Sequence, residues 1–162
     1  VTGIGQVCVT PGNTCVPYPA PATPGTDPVA GECYILHPNA RTFLVCNLLG
    51  SWLDARAWCQ AFGGFDLAQV GDTSEHDALA ARLSGGRGWL GLTDQAAEGA
   101  YAWSNGAAFT VGMPTTAPPW CSGAPDNAGG VEDCVEFVAG ATLDCWDDTN
   151  CANTNRAVMC SR

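Results

Sequence analysis

The stretch from residue 120 to residue 160 holds the side chains best suited to chemistry. Turn-forming residues separate its acids, and cysteines are spaced through the same run; the acids are Asp126, Glu132, Asp133, Asp144, Asp147 and Asp148, and the cysteines are Cys121, Cys134, Cys145, Cys151 and Cys160. Ca2+ takes about six to eight oxygen ligands from carboxylates, amides, backbone carbonyls and water, in irregular geometry. The pattern therefore indicates a calcium-binding loop region, and a solvated acidic loop is the alternative.

Short motifs follow one another in a fixed order across this stretch and upstream of it. They are Trp89-Leu90-Gly91-Leu92, Ala124-Pro125-Asp126, Glu132-Asp133-Cys134 and Trp146-Asp147-Asp148, followed by Cys151 and Cys160. They resemble the C-type lectin domain, in which Glu-Pro-Asn or Gln-Pro-Asp precedes Glu-Asp-Cys and Trp-Asn-Asp. The resemblance covers residues 33 to 160 and implies an α+β C-type lectin fold, with two helices flanking small antiparallel sheets and a long calcium-binding loop region.

The same resemblance implies one or two calcium ions and their ligands. One site would take Asp94, Glu98, Asn127 and Asp133, with the backbone carbonyl of Glu132. The other site, which in the family contacts sugar hydroxyls, would take Asp126, Glu132, Asp147 and Asp148. A cis peptide bond would precede Pro125, and calcium binding should help to lock this loop.

Two residues of the expected sugar-contacting site depart from the family pattern. Ala124 stands where the family has a Glu or Gln ligand, and Ala supplies neither a ligand nor a hydrogen bond through its side chain. Asp147 replaces Asn, so it accepts hydrogen bonds but donates none when ionised. Asp126 resembles the Gln-Pro-Asp branch and favours galactose-type binding. No aromatic platform follows the tripeptide; Trp120 or Trp146 could substitute, although Trp146 is expected in the core.

The ten cysteines are expected to form five disulfides. Local patterns predict two: Cys8–Cys15 would close the loop around the Pro11-Gly12-Asn13 turn, and Cys33–Cys46 would link two strands of a hairpin. The resemblance to C-type lectins implies the other three, which are Cys59–Cys160, Cys134–Cys151 and Cys121–Cys145.

Two helices should help to position the loop region. The first is predicted over residues 51 to 62, where Ser51 and Asp54 form a capping pattern and apolar residues recur at helical spacing. The second is predicted to be capped by Ser74 and Asp77 and to end before Gly85-Gly86. Ser74, Glu75, His76 and Asp77 are not expected to form a nucleophile and base pair, because neighbouring residues of a helix point in different directions. His76 is expected on the surface, and so is His37.

Composition narrows the class of protein. Residues 1–32 are rich in Pro and Gly and are predicted to be an N-terminal extension, with the lectin-like domain over 33–162. Ten cysteines indicate a secreted or surface-exposed protein, and no apolar run is long enough for a membrane span. A net charge of −10 with six basic residues argues against binding to nucleic acid or to anionic membranes, because both need a basic surface.

These observations predict a secreted, calcium-dependent carbohydrate-binding domain with a lean toward galactose-type sugars. The alternative is a C-type-lectin-like domain that uses calcium only for structure and binds protein or another surface, including ice. Ala124 and Asp147 motivate that alternative. An enzyme is not expected, because no nucleophile elbow, zinc signature or catalytic His is visible.

Overall fold

The computed structural model describes residues 33–110, 120–140 and 144–162 in full, and the backbone of strands 6–10 and 14–17. In chain order the elements are β1 Gln6–Thr10, β2 Thr14–Pro17, β3 Cys33–Leu36, β4 Phe43–Gly50, α1 Trp52–Gln60, β5 Asp66–Leu67, α2 Thr73–Leu83, β6 Arg87–Thr93, β7 Ala102–Trp103, a 3-10 turn Ala128–Gly130, β8 Cys134–Val138, β9 Cys145–Thr149 and β10 Arg156–Ser161. This is the α+β arrangement expected from the sequence.

The strands form one connected sheet in which most neighbours are antiparallel. Their order is β2-β1-β3-β4-β10-β6-β8-β9, with β5 attached to β10 and β7 attached to β6. The β1–β3 and β10–β6 pairs are parallel. The strands that carry the expected site, β8 and β9, therefore lie at one end of the sheet.

Alternating side chains of the sheet divide the core into two clusters. Along β10, Val158 packs with one cluster and Met159 with the other, as the two-residue period of a strand requires. The first cluster lies against α1 and contains Trp52, Trp58, Phe65 and Trp89. The second contains Leu79 of α2 together with Phe43, Phe137 and Trp146.

Helix α1 follows the sequence prediction closely. Ser51 caps it by accepting a hydrogen bond from the Asp54 amide at 3.2 Å, and its hydroxyl donates to the Asp54 carboxylate at 2.6 Å. The helix ends at Gln60, two residues before the predicted end. Trp52 is buried and its indole N–H donates to the Leu90 carbonyl at 2.8 Å, so this tryptophan serves packing.

Two predictions for α2 are wrong. The cap is Asp72, whose carboxylate accepts from the Glu75 amide at 3.0 Å, while Ser74 lies inside the first turn and donates to Asp72 at 2.6 Å. His76 is 7% exposed and its ring lies 4.7 Å from that of Phe137, so it is a core residue.

Four of the five expected disulfides are present, namely Cys33–Cys46, Cys59–Cys160, Cys121–Cys145 and Cys134–Cys151. Backbone pairing of β1 with β2 sets Cys8 opposite Cys15, but the side chains of both lie outside the described residues. Cys59–Cys160 joins α1 to β10 across a sequence separation of 101 residues. In the chain-entropy model a loop of that length stabilises the fold by about 4 to 5 kcal/mol.

Buried acids in the sheet and beside α2 are paired with arginines. Glu136 of β8 is fully buried and accepts hydrogen bonds from Arg87 and Arg156. Glu75 of α2 is also buried, and it accepts from Arg41 at 3.1 Å. Loss of one partner from such a pair leaves a buried charge unpaired, which is strongly destabilising.

Replacing Asp66 with Asn should lower the melting temperature at neutral pH, and the gap to the wild type should close in acid. Burial raises the pKa of Asp66, but hydrogen bonds from Arg56 and the Leu67 amide outweigh it and hold the pKa below its ordinary 3.8. A lowered carboxyl pKa stabilises the fold above pH 3.8, and that contribution is lost as the pH falls through the folded-state value. The loss at pH 7 should be about 1 kcal/mol, allowing for solvent screening.

Thermal denaturation followed by circular dichroism from pH 2.5 to 7 (on the order of ten steps, spanning the carboxyl range) checks this expectation. Asp77→Asn is the control, because the Asp77 side chain is 71% exposed and its removal should change the melting temperature little. A gap for Asp66→Asn that stays constant down to the lowest pH would contradict the ion-pair account.

Candidate functional site

Three carboxylates from separate parts of the chain meet beside β9. Asp126, Glu132 and Asp148 each offer an oxygen, and these oxygens all lie within 4.8 Å of one another. Asp126 follows the cis Ala124–Pro125 peptide bond, Glu132 follows the 3-10 turn, and Asp148 belongs to β9. Asp148 is 2% exposed, whereas Asp126 is exposed and Glu132 half-buried, so the group is open to solvent on one side.

Backbone amides of the loop hold these carboxylates in place. The Asp126 amide donates to both oxygens of Asp148 at 3.0 Å, and the Asn127 amide donates to one of them at 2.7 Å. The Ala128 amide donates to Glu132 at 2.7 Å, and the Glu132 amide donates to the Asn127 side-chain oxygen at 3.1 Å. The loop is therefore held against β9 by hydrogen bonds from its backbone amides to the Asp148 carboxylate.

Glycine is required at the turn between Asp126 and Glu132. Gly129 and Gly130 have φ values of 73° and 70°, a left-handed region that strains other residues. They let the chain reverse within a few residues, so Glu132 returns beside Asp126. The adjacent Val131 is 50% exposed, and no sequence pattern had singled it out.

The electrostatics of the group favour a cation. Burial raises the pKa of Glu132, and the charges of Asp148 and Asp126 raise it further, although the Ala128 amide acts in the opposite direction. Like charges held this close repel, and a divalent cation would replace that repulsion with attraction. The donor set consists of carboxylate oxygens, which suit Ca2+.

The structure does not bring Asp147 into the three-carboxylate group. Neighbouring residues of a strand point to opposite faces, and Asp147 lies opposite Glu136 of β8 while Asp148 lies opposite Val135. Burial and the charges of Glu136 and Asp148 raise the pKa of Asp147, and Arg87 lowers it. Its role as a ligand stays a prediction.

In the other expected set of ligands, Asp94 is 1% exposed. Among the described residues, its carboxylate does not form a close group with those of Glu98 and Asp133 like the group beside β9. Its Oδ2 accepts from the Gly99 amide at 2.8 Å, and its amide donates to the Asp133 carbonyl at 3.2 Å. Among the residues that the structure describes, none donates a hydrogen bond to its buried Oδ1. Glu98 is exposed, Asp133 is half-buried, and Asn127 belongs to the loop of the first group. An unsatisfied buried carboxylate oxygen is costly, and a metal ion would satisfy it.

Tyr101 lies near both sets of acids, a position that its sequence context did not reveal. Burial raises the pKa of its phenol, and the charges of Asp94, Asp148, Glu98 and Asp133 raise it further. Its ring lies 5.2 Å from that of Trp120. Trp146 is fully buried, as expected, which leaves the half-buried Trp120 as the aromatic candidate near the loop.

Neither helix of the described chain, α1 or α2, is long and apolar enough to cross a bilayer.

Comparison with known proteins identifies relatives. The family model of the lectin C-type domain matches residues 49–162. Lectin BRA-3 of Megabalanus rosa is 34% identical over 133 residues, which cover 80% of this chain and 70% of that protein. The type-2 ice-structuring protein of Hemitripterus americanus is 28% identical over 134 residues, which cover 83% of this chain and 71% of that protein.

Solved structures share the fold. The cow C-type carbohydrate-recognition domain of CD23, solved in the presence of a GlcNAc2Man3 oligosaccharide, superposes with a TM-score of 0.67 at 23% identity, covering 85% of this chain and 95% of that one. Echinoidin from Heliocidaris crassispina is 36% identical over 72 residues, which cover 44% of this chain and 44% of that protein. Because the family model covers more than two thirds of the sequence, this chain belongs to the C-type lectin domain family.

Proposed function

We propose that this domain binds carbohydrate through calcium held by the loop region between Trp120 and Cys151. The observation that carries the proposal is the meeting of Asp126, Glu132 and Asp148 within 4.8 Å. Three carboxylates at that separation repel one another unless a cation lies among them. The group is open on one side, so a bound ion would keep coordination positions for water or a ligand hydroxyl.

A second calcium would lie among Asp94, Glu98, Asn127 and Asp133. The buried and unpartnered Oδ1 of Asp94 supports this part of the proposal. Asn127 belongs to this expected set and contacts the Asp126 group, because its amide donates to the Asp148 carboxylate and its side-chain oxygen accepts from the Glu132 amide. An ion at either position would therefore restrain the same loop.

Sugar hydroxyls would complete the shell of the first calcium beside Asp126, Glu132 and Asp148. Asp147, which stays a predicted ligand, lies outside this group. The family supports carbohydrate as the class of ligand, and the CD23 domain that shares the fold was solved in the presence of an oligosaccharide. Asp126 favours the galactose type, while Ala124 removes a side-chain contact that the family pattern places there. The geometry favours a shallow site in which the ion supplies most of the affinity.

A calcium-dependent binder of an extended surface is the second candidate. The residues around Asp126 are small and exposed over most of the run, namely Ser122, Gly123, Pro125, Ala128, Gly129 and Gly130. Such a surface suits a flat partner such as ice or another protein, because few side chains project from it. The similarity to an ice-structuring protein supports the same candidate.

We also propose that the protein is secreted or displayed outside the cell and acts by binding and not by catalysis. The described residues contain four disulfides and no free cysteine, a composition that persists in oxidising compartments. The family supports a binding role.

Calcium should raise the melting temperature, and a chelator should abolish the gain. At a calcium concentration about 100 times the Kd, mass action stabilises the native state by about 2.7 kcal/mol, or roughly 5 to 10 °C for a domain of this size.

Asp148→Asn should weaken calcium binding at least about ten-fold by calorimetry, because it removes one of three charges. Asp77→Asn, on the exposed face of α2, should leave the affinity unchanged. Equal affinities for both variants would contradict the proposed first site.

Asp94→Asn should have opposite effects with and without calcium. In chelator it should raise the melting temperature, since the buried Oδ1 no longer belongs to an unpaired charge. In excess calcium it should lower the melting temperature relative to the wild type, because a charged ligand is lost. A variant that is destabilised equally in both conditions would show that Asp94 has only a structural role.

Immobilised galactose should retain the protein in calcium and release it in chelator. Ala124→Gln, which restores the side chain of the family pattern, should raise the affinity for galactose about ten-fold by supplying a ligand and a hydrogen bond. Ala57→Gln, at an exposed position of α1, is the matched control. Calcium binding without retention on galactose or mannose would favour the second candidate, and inhibition of ice growth would then be measured.

A further inference from the structure

The Cys121–Cys145 disulfide differs from the others in the described chain by its exposure. Both of its cysteines are half-buried. Each of the other three bonds contains at least one cysteine that is no more than 1% exposed; those bonds are Cys33–Cys46, Cys59–Cys160 and Cys134–Cys151. Both cysteines of Cys121–Cys145 are therefore open to attack by a thiol, whereas Cys134–Cys151 is approachable only at Cys151 and the other two described bonds at neither cysteine.

This bond ties the start of the candidate loop to the start of β9. Cys121 lies five residues before Asp126, and Cys145 lies three residues before Asp148. The Cys121 amide also donates to the Trp146 carbonyl at 2.8 Å, so the two segments touch at this point. At the other end of the loop, Cys134–Cys151 joins the start of β8 to the turn after β9.

The two disulfides therefore clamp both ends of one segment onto another. Residues 121–134 carry Asp126 and Glu132, and residues 145–151 carry Asp148. The other described links between Asp126 or Asn127 and β9 end on the Asp148 carboxylate, which is itself an expected ligand. The disulfide is independent of that carboxylate, so it restrains the loop whether or not Asp148 holds an ion.

We propose that Cys121–Cys145 is a positioning element that sets the calcium affinity of the loop, and that small-molecule thiols reduce it before the other three disulfides of the described residues. This inference rests on the proposed function. Freeing one end of the loop increases its conformational entropy without an ion, and that entropy must be lost again when the ligands gather. Calcium affinity should fall in consequence, while the rest of the sheet keeps its pairing.

The chemistry of reduction balances with an external thiol as the reductant. One thiolate attacks a sulfur of the pair and forms a mixed disulfide while the other cysteine leaves as a thiolate that takes up a proton. A second thiol then displaces the first cysteine, so two cysteine thiols and one oxidised reductant result.

The test compares two double variants by calcium calorimetry. Cys121→Ser with Cys145→Ser should bind calcium at least about ten-fold more weakly than the wild type. Cys33→Ser with Cys46→Ser is the matched control, because that bond links paired positions of the β3–β4 hairpin and involves no candidate ligand. The control should have a lower melting temperature but a calcium Kd within about two-fold of the wild type. Equal affinities for the wild type and the Cys121/Cys145 variant would overturn the inference, as would equal losses in both variants.

Partial reduction of the folded wild type gives a second measurement that needs no variant to fold. Brief treatment with dithiothreitol, alkylation and mass spectrometry should label Cys121 and Cys145 first, and the labelled fraction should lose calcium affinity in proportion. Labelling that reaches another disulfide first, or labelled protein with unchanged affinity, would overturn the inference. Wild-type protein that binds no calcium would overturn the proposed function itself and this inference with it.

Discussion

The structure depends on the position of its last strand. β10 pairs with β4, β5 and β6, and the Cys59–Cys160 disulfide fixes it to α1. The backbone amides and carbonyls of Thr42 and Arg162 exchange hydrogen bonds at 3.1 and 3.0 Å, so Arg162 is held beside the residue that precedes β4. Because β6, β8 and β9 extend outward from β10, the placement of the candidate site follows from the closing of the chain on itself.

The two faces of β8 and β9 have different roles. Phe137 and Trp146 face the core under α2, where His76 packs against Phe137. Glu136 and Asp147 point to the opposite face, and Glu136 is neutralised there by two arginines. Asp148 shares a face with Trp146, so the acid nearest the loop is held by a strand whose preceding residues are anchored in the core. A rigid strand on one side and a folded loop on the other make a site that needs little rearrangement.

Much of the fold could be predicted from short motifs whose residue types leave few choices. Local patterns predicted the Cys33–Cys46 bond and the first helix. The resemblance to C-type lectins implied the other three described disulfides and the cis bond before Pro125, and the structure contains them. The burial of His76 was not predictable from the helix alone, because the ring that it packs against, Phe137, belongs to a strand distant in sequence.

The candidate site was predictable in composition but not in orientation. The Trp146-Asp147-Asp148 motif implies that both acids are ligands of one site, whereas adjacent side chains of a strand point to opposite faces. Tyr101 is distant from Asp148 in sequence and lies near the acids only after the chain has folded. Val131 adjoins Glu132 in sequence, but its exposure depends on the turn that the two preceding glycines form. Such neighbours belong to tertiary structure, and no local pattern reports them.

Asp94 also bears on how sequences of this kind change over time. A buried carboxylate oxygen without a donor lowers stability, and random substitution offers many ways to remove it. Drift under selection for stability alone would replace such a residue with an amide or an apolar side chain of similar size. An acid kept at this position across relatives would therefore record a selective pressure other than folding.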